Sequence, residues 1–552
     1  MMQENLIRLY QESFKTNWEL PALSDYFKEE DHFTYGQAAG EIARLHLLFE
    51  ECNVKTGDKI ALFGRNNVRW CITYMAAITY GAVIVPILQD FNSNDVQHII
   101  NHSDSVLLFV GDQYWDSIVP RNVERVRAVF SLTDYDCIYD GRGGHIREFN
   151  NRLDDEMARR YPNGFTPDDV RFAPVGKEQV VLLNYTSGTT GFSKGVMLTA
   201  NNLCGNVVFG ISTNLHYRGS RALSFLPLAH AYGCAFDFLL PLAVGSHVTL
   251  LGKIPSPKIL LEAAQKVKPS IIFTVPLVIE KIYRKQIVPQ IQRQTVQVAM
   301  KIPVLREKVY EAINKELTDA FGGEFSQIVI GGAPLNGEVE EFLYRIKFRF
   351  TVGYGMSECA PLITFAPCDT FVPTSCGRPL EGIMEVRIDS PDPEHVVGEI
   401  QTRGENVMTG YYKNQEATEA VFTEDGWLRT GDLGTLGPDK SLFIRGRHKN
   451  MILSANGQNI YPEEIEAKLN NMPGVAESLV VERNGKLVAL VYPDYDASKN
   501  HNVDRIQVQM EENKKNLNKI VGAYEQISEI VLFPTEFEKT PKKSIRRYLY
   551  NV

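Results

Sequence analysis

The sequence predicts an α/β protein that gives way to a small β-rich unit and then to a compact α+β tail. Three observations predict it. Up to about residue 375, helical periodicity alternates with short β-branched runs, as a parallel or mixed sheet covered on both faces requires. After Cys376 the strand candidates shorten and glycines crowd in at 398, 404, 410, 426, 431, 434, 437 and 446. Beyond Arg447 a hairpin signal and one long polar helix replace that texture.

Thr34 is placed to cap a helix over Ala38 to Glu51, where Ile42, Leu45 and Phe49 fall at helical spacing, and Lys59 to Phe63 reads as a buried strand. A helix near Arg69 to Ala77 follows, then apolar runs at Val83 to Leu88 and Val106 to Val110. The alternation continues at Ile271-Ile272-Phe273, Ile328-Val329-Ile330 and Phe350-Thr351-Val352. In the β-rich unit, Glu385 to Ile388 and Gly398 to Thr402 are strand candidates. In the tail, Ser478 to Glu482 and Lys486 to Tyr492 pair about Asn484-Gly485, and Asp504 to Ile520 is a helix. The domain break falls near Arg447 to Lys449. It divides the chain into 1–447, with its β-rich part at about 377–447, and 448–552.

A chain of 552 residues, 44% hydrophobic and 23% charged, is globular and large enough for several domains. A net charge of -9 gives no footprint for a polyanion, which excludes nucleic acid as the expected partner. Eight cysteines without a CxxC pair or zinc spacing read as thiols in a reducing compartment. The N-terminal stretch carries Glu4, Arg8, Glu12 and Lys15 and has no apolar h-region. The longest apolar stretch, Met75 to Leu88, is broken by Thr79, Gly81 and Pro86 and is shorter than the roughly 18 residues a span needs. A cytoplasmic protein is expected. A peripheral encounter with a membrane stays open, although no basic amphipathic helix stands out.

The most informative stretch is "NYTSGTTGFSKGVML", Asn184 to Leu198, which follows the apolar run Val180 to Leu183. Gly188, Gly191 and Gly195 free the backbone to approach a ligand. The hydroxyls of Thr186, Ser187, Thr189 and Thr190 are small donors, and Lys194 adds a mobile positive charge. Such a set cradles an anion, most commonly a phosphate, unless it is a flexible surface loop. It is not a Walker A loop, because Gly195 rather than Ser or Thr follows Lys194.

The stretch resembles the phosphate-binding motif of the adenylate-forming superfamily, YTSGTTGxPKGV, with Ser193 where proline is usual. Further matches follow in family order. Leu226 to Gly233 resembles the acyl-pocket wall, which would give His230 a catalytic or lining role; read alone, His230 is an ordinary structural histidine. Gly331-Gly332-Ala333-Pro334 resembles the adenine-contacting turn. Tyr354-Gly355-Met356-Ser357-Glu358 resembles the motif whose aromatic ring stacks on adenine and whose carboxylate takes Mg²⁺, with Ser357 in place of threonine. Without the resemblance Glu358 is a surface carboxylate. Trp427 to Asp432 resembles the motif whose aspartate accepts from both ribose hydroxyls, and Arg445 to Asn450 the hinge, with Arg447 a second ribose or phosphate contact and Lys449 the pivot. Gly457 resembles the glycine that lets the pantetheine arm pass.

The ending, Glu538 to Arg547, resembles PKTxxGK. Strict alignment puts Ser544 on the catalytic lysine, so the role passes to Lys543, with Lys542 in reserve. The resemblance implies a large N-terminal AMP-binding domain of two packed αβ subdomains and a small distorted β-barrel, under a mobile α+β lid. It also implies ATP and Mg²⁺, the metal held by Thr186 and Glu358, with coenzyme A as co-substrate. Thr274 to Tyr283, and the helix-prone region to Phe321, look most like the long-chain fatty acyl-CoA synthetases, so a fatty acid is the expected substrate. Transfer to a carrier protein, or a nucleotide-binding homologue impaired in catalysis, stays as an alternative. Asp237 offers an acidic partner for an amino acid, but its spacing from Pro241-Leu242 does not fit that motif. The oligomeric state, monomer or homodimer, is left open.

Overall fold

A computed structural model describes residues 4–118, 123, 125–186, 194–252, 255–453, 459–483, 485–495, 503–540 and 544–550. The expected alternation is there. Thr34 caps the helix Tyr35–Glu51 with a full capping box to Gln37, and Lys59–Phe63 is a strand buried from Ile60 onward. The apolar run at 83 folds as the strand Val83–Ile87, and the next as Ser105–Val110. Both are buried along their whole length, as a doubly covered sheet demands.

Among the described residues these strands belong to an eight-stranded sheet. Its order is Gly410–Tyr411, Lys194–Thr199, Val180–Thr186, Val83–Ile87, Lys59–Phe63, Ser105–Val110, Ala128–Ser131 and Cys137–Asp140. The strands from Val180–Thr186 to Ala128–Ser131 are parallel, and the outer ones run against their neighbours. A second sheet sets Arg221–Ser224, His247–Leu250 and Pro21–Asp25 in parallel. A third carries Ile272–Thr274, Ile328–Ile330 and Phe350–Val352, also parallel. One continuous apolar cluster unites all of them, with Trp70, Phe109, Phe130, Phe238 and Phe273 fully buried in it.

The β-rich unit is an antiparallel sheet of Met384–Asp389, Gly398–Gly404, Leu428–Leu436 and Leu442–Arg447. It is not self-contained, because Gly410–Tyr411 leaves it to extend the eight-stranded sheet along Val196 and Met197. Beyond Ile460 the buried apolar clusters draw only on residues of the tail. There the hairpin Val475–Arg483 and Lys486–Pro493 takes Ile527–Leu532 as a parallel third strand, and the polar helix is Val503–Ile520. No helix among the described residues is long and apolar enough to cross a membrane.

Candidate active site

In open α/β sheets, ligands bind beyond the carboxyl ends of parallel strands, and the candidate residues collect there. Ile328–Ile330 ends in the Gly331 turn, tied to the neighbouring strand by Gly331 N–H donating to Thr274 O at 3.0 Å. Gly332 takes φ +85°, the left-handed region glycine adopts without strain, and Ala333 and Pro334 stand exposed beside it. Phe350–Val352 ends two residues before Tyr354. A side chain on Gly355 would lie 2.1 Å from Pro361 O, so the chain there can only be glycine; Met356 N–H also donates to Pro361 O. Ser357 is buried at the start of the tight turn that presents Glu358.

Tyr354 donates its hydroxyl to Asp432 Oδ2 at 2.7 Å, and Arg447 Nε lies 3.0 Å from Asp432 Oδ1. Asp432 and Arg447 are direct partners across the antiparallel ladder, so the pair is fixed by register. Burial raises the Asp432 carboxyl above the usual carboxylate range, and the Arg447 guanidinium and the Tyr354 hydroxyl oppose that rise. Arg447 itself is largely exposed, so this pair has one dry member and one wet one.

Glu358 is half-buried and accepts the Tyr411 hydroxyl at 2.9 Å on Oε1. The same tyrosine ring carries the Lys194 ammonium 4.8 Å from its centroid. Lys194 is thus placed against an aromatic face rather than swinging free. Tyr411 is absent from the motif reading. Its position depends on Gly410–Tyr411 pairing with Val196–Met197, and a two-residue strand leaves no periodic signal. The strands on either side of the expected phosphate-binding stretch pair antiparallel. Thr186 closes the outgoing strand, Lys194 opens the returning one, and the two face each other in register. Ser187, Gly188, Thr189, Thr190 and Gly191 lie outside the described residues.

His230 sits half-buried at the start of the short turn Ala231–Gly233, with Nδ1 accepting weakly from Tyr232 N–H at 3.4 Å. Two contacts draw its segment to the site. Asn184, from the strand before the loop, donates to Ala229 O, and Tyr232 stacks its ring under Gly331 and donates its hydroxyl to Val329 O at 3.0 Å. Asp237 is buried among apolar residues and its carboxyl is pushed up by burial.

At the expected hinge, Lys449 is exposed in the turn His448–Asn450, and Asn450 donates to Glu463. Gly457, Lys542 and Lys543 lie outside the described residues. The ends of the terminal loop are nonetheless tied: Thr540 N–H donates to Ser544 O, and Lys539 pairs with Ile545. Lys539 is engaged by Glu477 and Glu536, and Arg547 makes a bidentate, mostly buried pair with Glu466. Two cations of the basic tail are therefore structural.

A carboxylate and a hydroxyl are the hard oxygen donors that suit Mg²⁺ beside phosphate, which Glu358 and Thr186 supply. No group of three or more acidic, histidine or cysteine residues able to hold a metal occurs among the described residues. A Mg²⁺ here fits only as an ion sharing its shell with a nucleotide's phosphates.

The model of the AMP-binding enzymes matches residues 10–412. The chain belongs to that family. Among its similar proteins, the long-chain-fatty-acid–CoA ligase of Mycobacterium bovis is 30% identical over 477 residues, covering 81% of this chain and 75% of that protein. The peroxisomal long chain acyl-CoA synthetase 6 of Arabidopsis thaliana is 30% identical over 500 residues, covering 84% and 69%. The fold agrees with ATP-bound MatB from Rhodopseudomonas palustris (TM-score 0.76, 21% identity, 99% and 98% covered). It agrees also with the AMP complex of the Bacillus subtilis o-succinylbenzoate coenzyme A synthetase (TM-score 0.75, 20% identity, 100% and 98% covered). This member of the family is a ligase of the acyl-CoA synthetase class with the adenylate-forming fold.

Proposed function

We propose that the enzyme activates a medium- or long-chain fatty acid with ATP and passes the acyl group to coenzyme A. The observation that carries this reading is the pair of oriented carboxylates: Glu358 accepts from Tyr411, and Asp432 accepts from Tyr354, just past the strand Phe350–Val352. The named ligases of M. bovis and A. thaliana act on long-chain acids, which supports the substrate class.

A carboxylate attacking an α-phosphate meets repulsion between anions, so positive charge must be placed where negative charge grows. In the proposed first step the fatty acid's carboxylate oxygen bonds to the α-phosphorus, the bond to the bridging oxygen breaks, and pyrophosphate leaves. Asp432 accepts the ribose hydroxyls, Gly332 to Pro334 and Tyr354 to Met356 frame the adenine, and the 186–194 loop receives the β- and γ-phosphates. Lys194, steadied on Tyr411, faces those phosphates. Mg²⁺ held by Glu358 and Thr186 would neutralise phosphate charge when bound. Lys543 bridges the attacking carboxylate and the α-phosphate, and His230 lines the acyl entrance. In the second step the thiolate attacks the acyl carbon and AMP departs. The 448–552 unit turns about Lys449 between steps, withdrawing Lys543 and presenting Gly457 to the pantetheine arm.

Acid-dependent ATP–pyrophosphate exchange tests the first step. Lys543→Ala abolishes exchange while Lys542→Ala keeps it; the reverse pattern reassigns the lysine. AMP release that needs holo carrier protein and ignores coenzyme A overturns the second step.

A further inference from the structure

The helix-prone segment after Thr274 does something the site does not use. It folds as short helical pieces, Pro276–Ile282, Tyr283–Ile287, Val288–Ile291 and Gln294–Met300, before the long helix Pro303–Ala320. Between residues 281 and 308 it carries seven Lys and Arg against the single carboxylate of Glu307, in a chain whose net charge is -9. All seven are exposed. At the corner between the last two helices, residues 301–308 are exposed without interruption. Ile302, Val304 and Leu305 there are 48%, 69% and 40% exposed, and Val298, one turn earlier, is 61% exposed. Lys301, Arg306 and Lys308 interleave with them. Among the described residues none of these three cations forms an ion pair.

Exposed aliphatic residues cost free energy unless something covers them, and a cluster of them marks a contact surface. Cations interleaved with the aliphatics select what covers it. An acidic protein groove would satisfy the charges but gains little from isolated valine and isoleucine tips. An anionic lipid surface satisfies both, with ammonium and guanidinium groups at the headgroups and aliphatic tips below them. The cations spread over a corner made by several helices rather than one, so no single amphipathic helix is visible in the sequence. The segment's first helix, by contrast, is tied toward the candidate site. Glu280, in the first of these helices, accepts from the backbone N–H of Asn336, just past the Gly331–Pro334 turn.

We propose that the corner at 298–308 docks the protein peripherally on an anionic bilayer. Docking there leaves the adenylate-forming chemistry itself unchanged. The test is co-sedimentation of the full chain with vesicles of phosphatidylcholine alone and of equal parts phosphatidylcholine and phosphatidylglycerol. Wild type binds the anionic vesicles and not the neutral ones. Binding weakens when salt rises from about 0.1 to about 1 M, which shortens the screening length from about 10 to about 3 Å. At about fivefold per cation, the triple variant K301E/R306E/K308E loses about a hundredfold or more in partitioning, and Val304→Asp loses about fivefold. Pyrophosphate release with a soluble short-chain acid, or the thermal midpoint if none is accepted, shows that these variants remain folded. Equal binding to both vesicle types, binding to neither, or full binding by the triple variant overturns the proposal. So does a dimer in solution that Val304→Asp dissociates, which would assign the corner to a second copy of the chain.

Discussion

Glu358 and Asp432 are both carboxylates that accept a tyrosine hydroxyl, and they differ in everything else around them. Asp432 is buried on a strand, faced across the ladder by Arg447, with each carboxylate oxygen engaged. Glu358 is half-buried on a tight turn and is held through one oxygen by Tyr411. A carboxylate fixed through both oxygens by rigid strands suits neutral hydroxyls that must be placed in one orientation. One held through a single oxygen can give the other to a cation that arrives with its ligand. In the proposed function the first is a positioning device and the second a charge device.

Removing the charge of the second should cost most. Glu358→Gln keeps the Tyr411 hydrogen bond but loses the negative charge that attracts a hard cation, so kcat for adenylate formation should fall about 10²- to 10³-fold with modest change in ATP affinity. An ATP affinity loss without a rate loss would make Glu358 another positioning group. Asp432→Asn should cost about 10- to 100-fold, mainly in KM for ATP, from lost charge-assisted hydrogen bonds of about 1.5–3 kcal/mol. The fold should gain from the same change. A carboxyl raised above its unfolded pKa destabilises once ionised, so Asp432→Asn should melt higher than wild type above neutrality. That advantage should shrink as the pH falls and vanish below about 3.9, where the aspartate is protonated in the folded and the unfolded state alike.

Arg447→Ala removes the charge that most strongly opposes burial at Asp432. The Asp432 carboxyl should rise further, and the acid limb of the kcat/KM profile should move to higher pH; a shift to lower pH would mean that another group sets the limb. Tyr411→Phe is the mildest, about three- to tenfold in kcat, because it leaves the ring under Lys194 and removes only the bond that aims Glu358.

These effects also separate what the sequence could reveal from what it could not. Strands such as Lys59–Phe63 and Ser105–Val110 were legible because their burial writes an apolar run, and the Thr34 cap because its hydroxyl and Gln37 sit at the capping-box spacing. The Asp432–Arg447 pairing was legible only as two separate motifs, since register between strands is set by the intervening chain. Tyr411 was invisible, because a two-residue strand that crosses from one sheet to another has no period. The tail shows the opposite failure: Lys539 and Arg547 stand in one basic run with Lys542 and Lys543, and nothing near them in sequence announces that Glu477 and Glu466 engage them. The basic corner at 298–308 escaped because its charges belong to a turn between helices rather than to one helix face.

The proposed reaction joins a long acyl carboxylate to AMP. Its most direct measurement is ATP–pyrophosphate exchange by the purified chain without coenzyme A, across straight-chain acids from acetate to arachidate. Saturable exchange that peaks between laurate and stearate is the predicted result. Exchange confined to short or aromatic acids, or none with any acid, would contradict it.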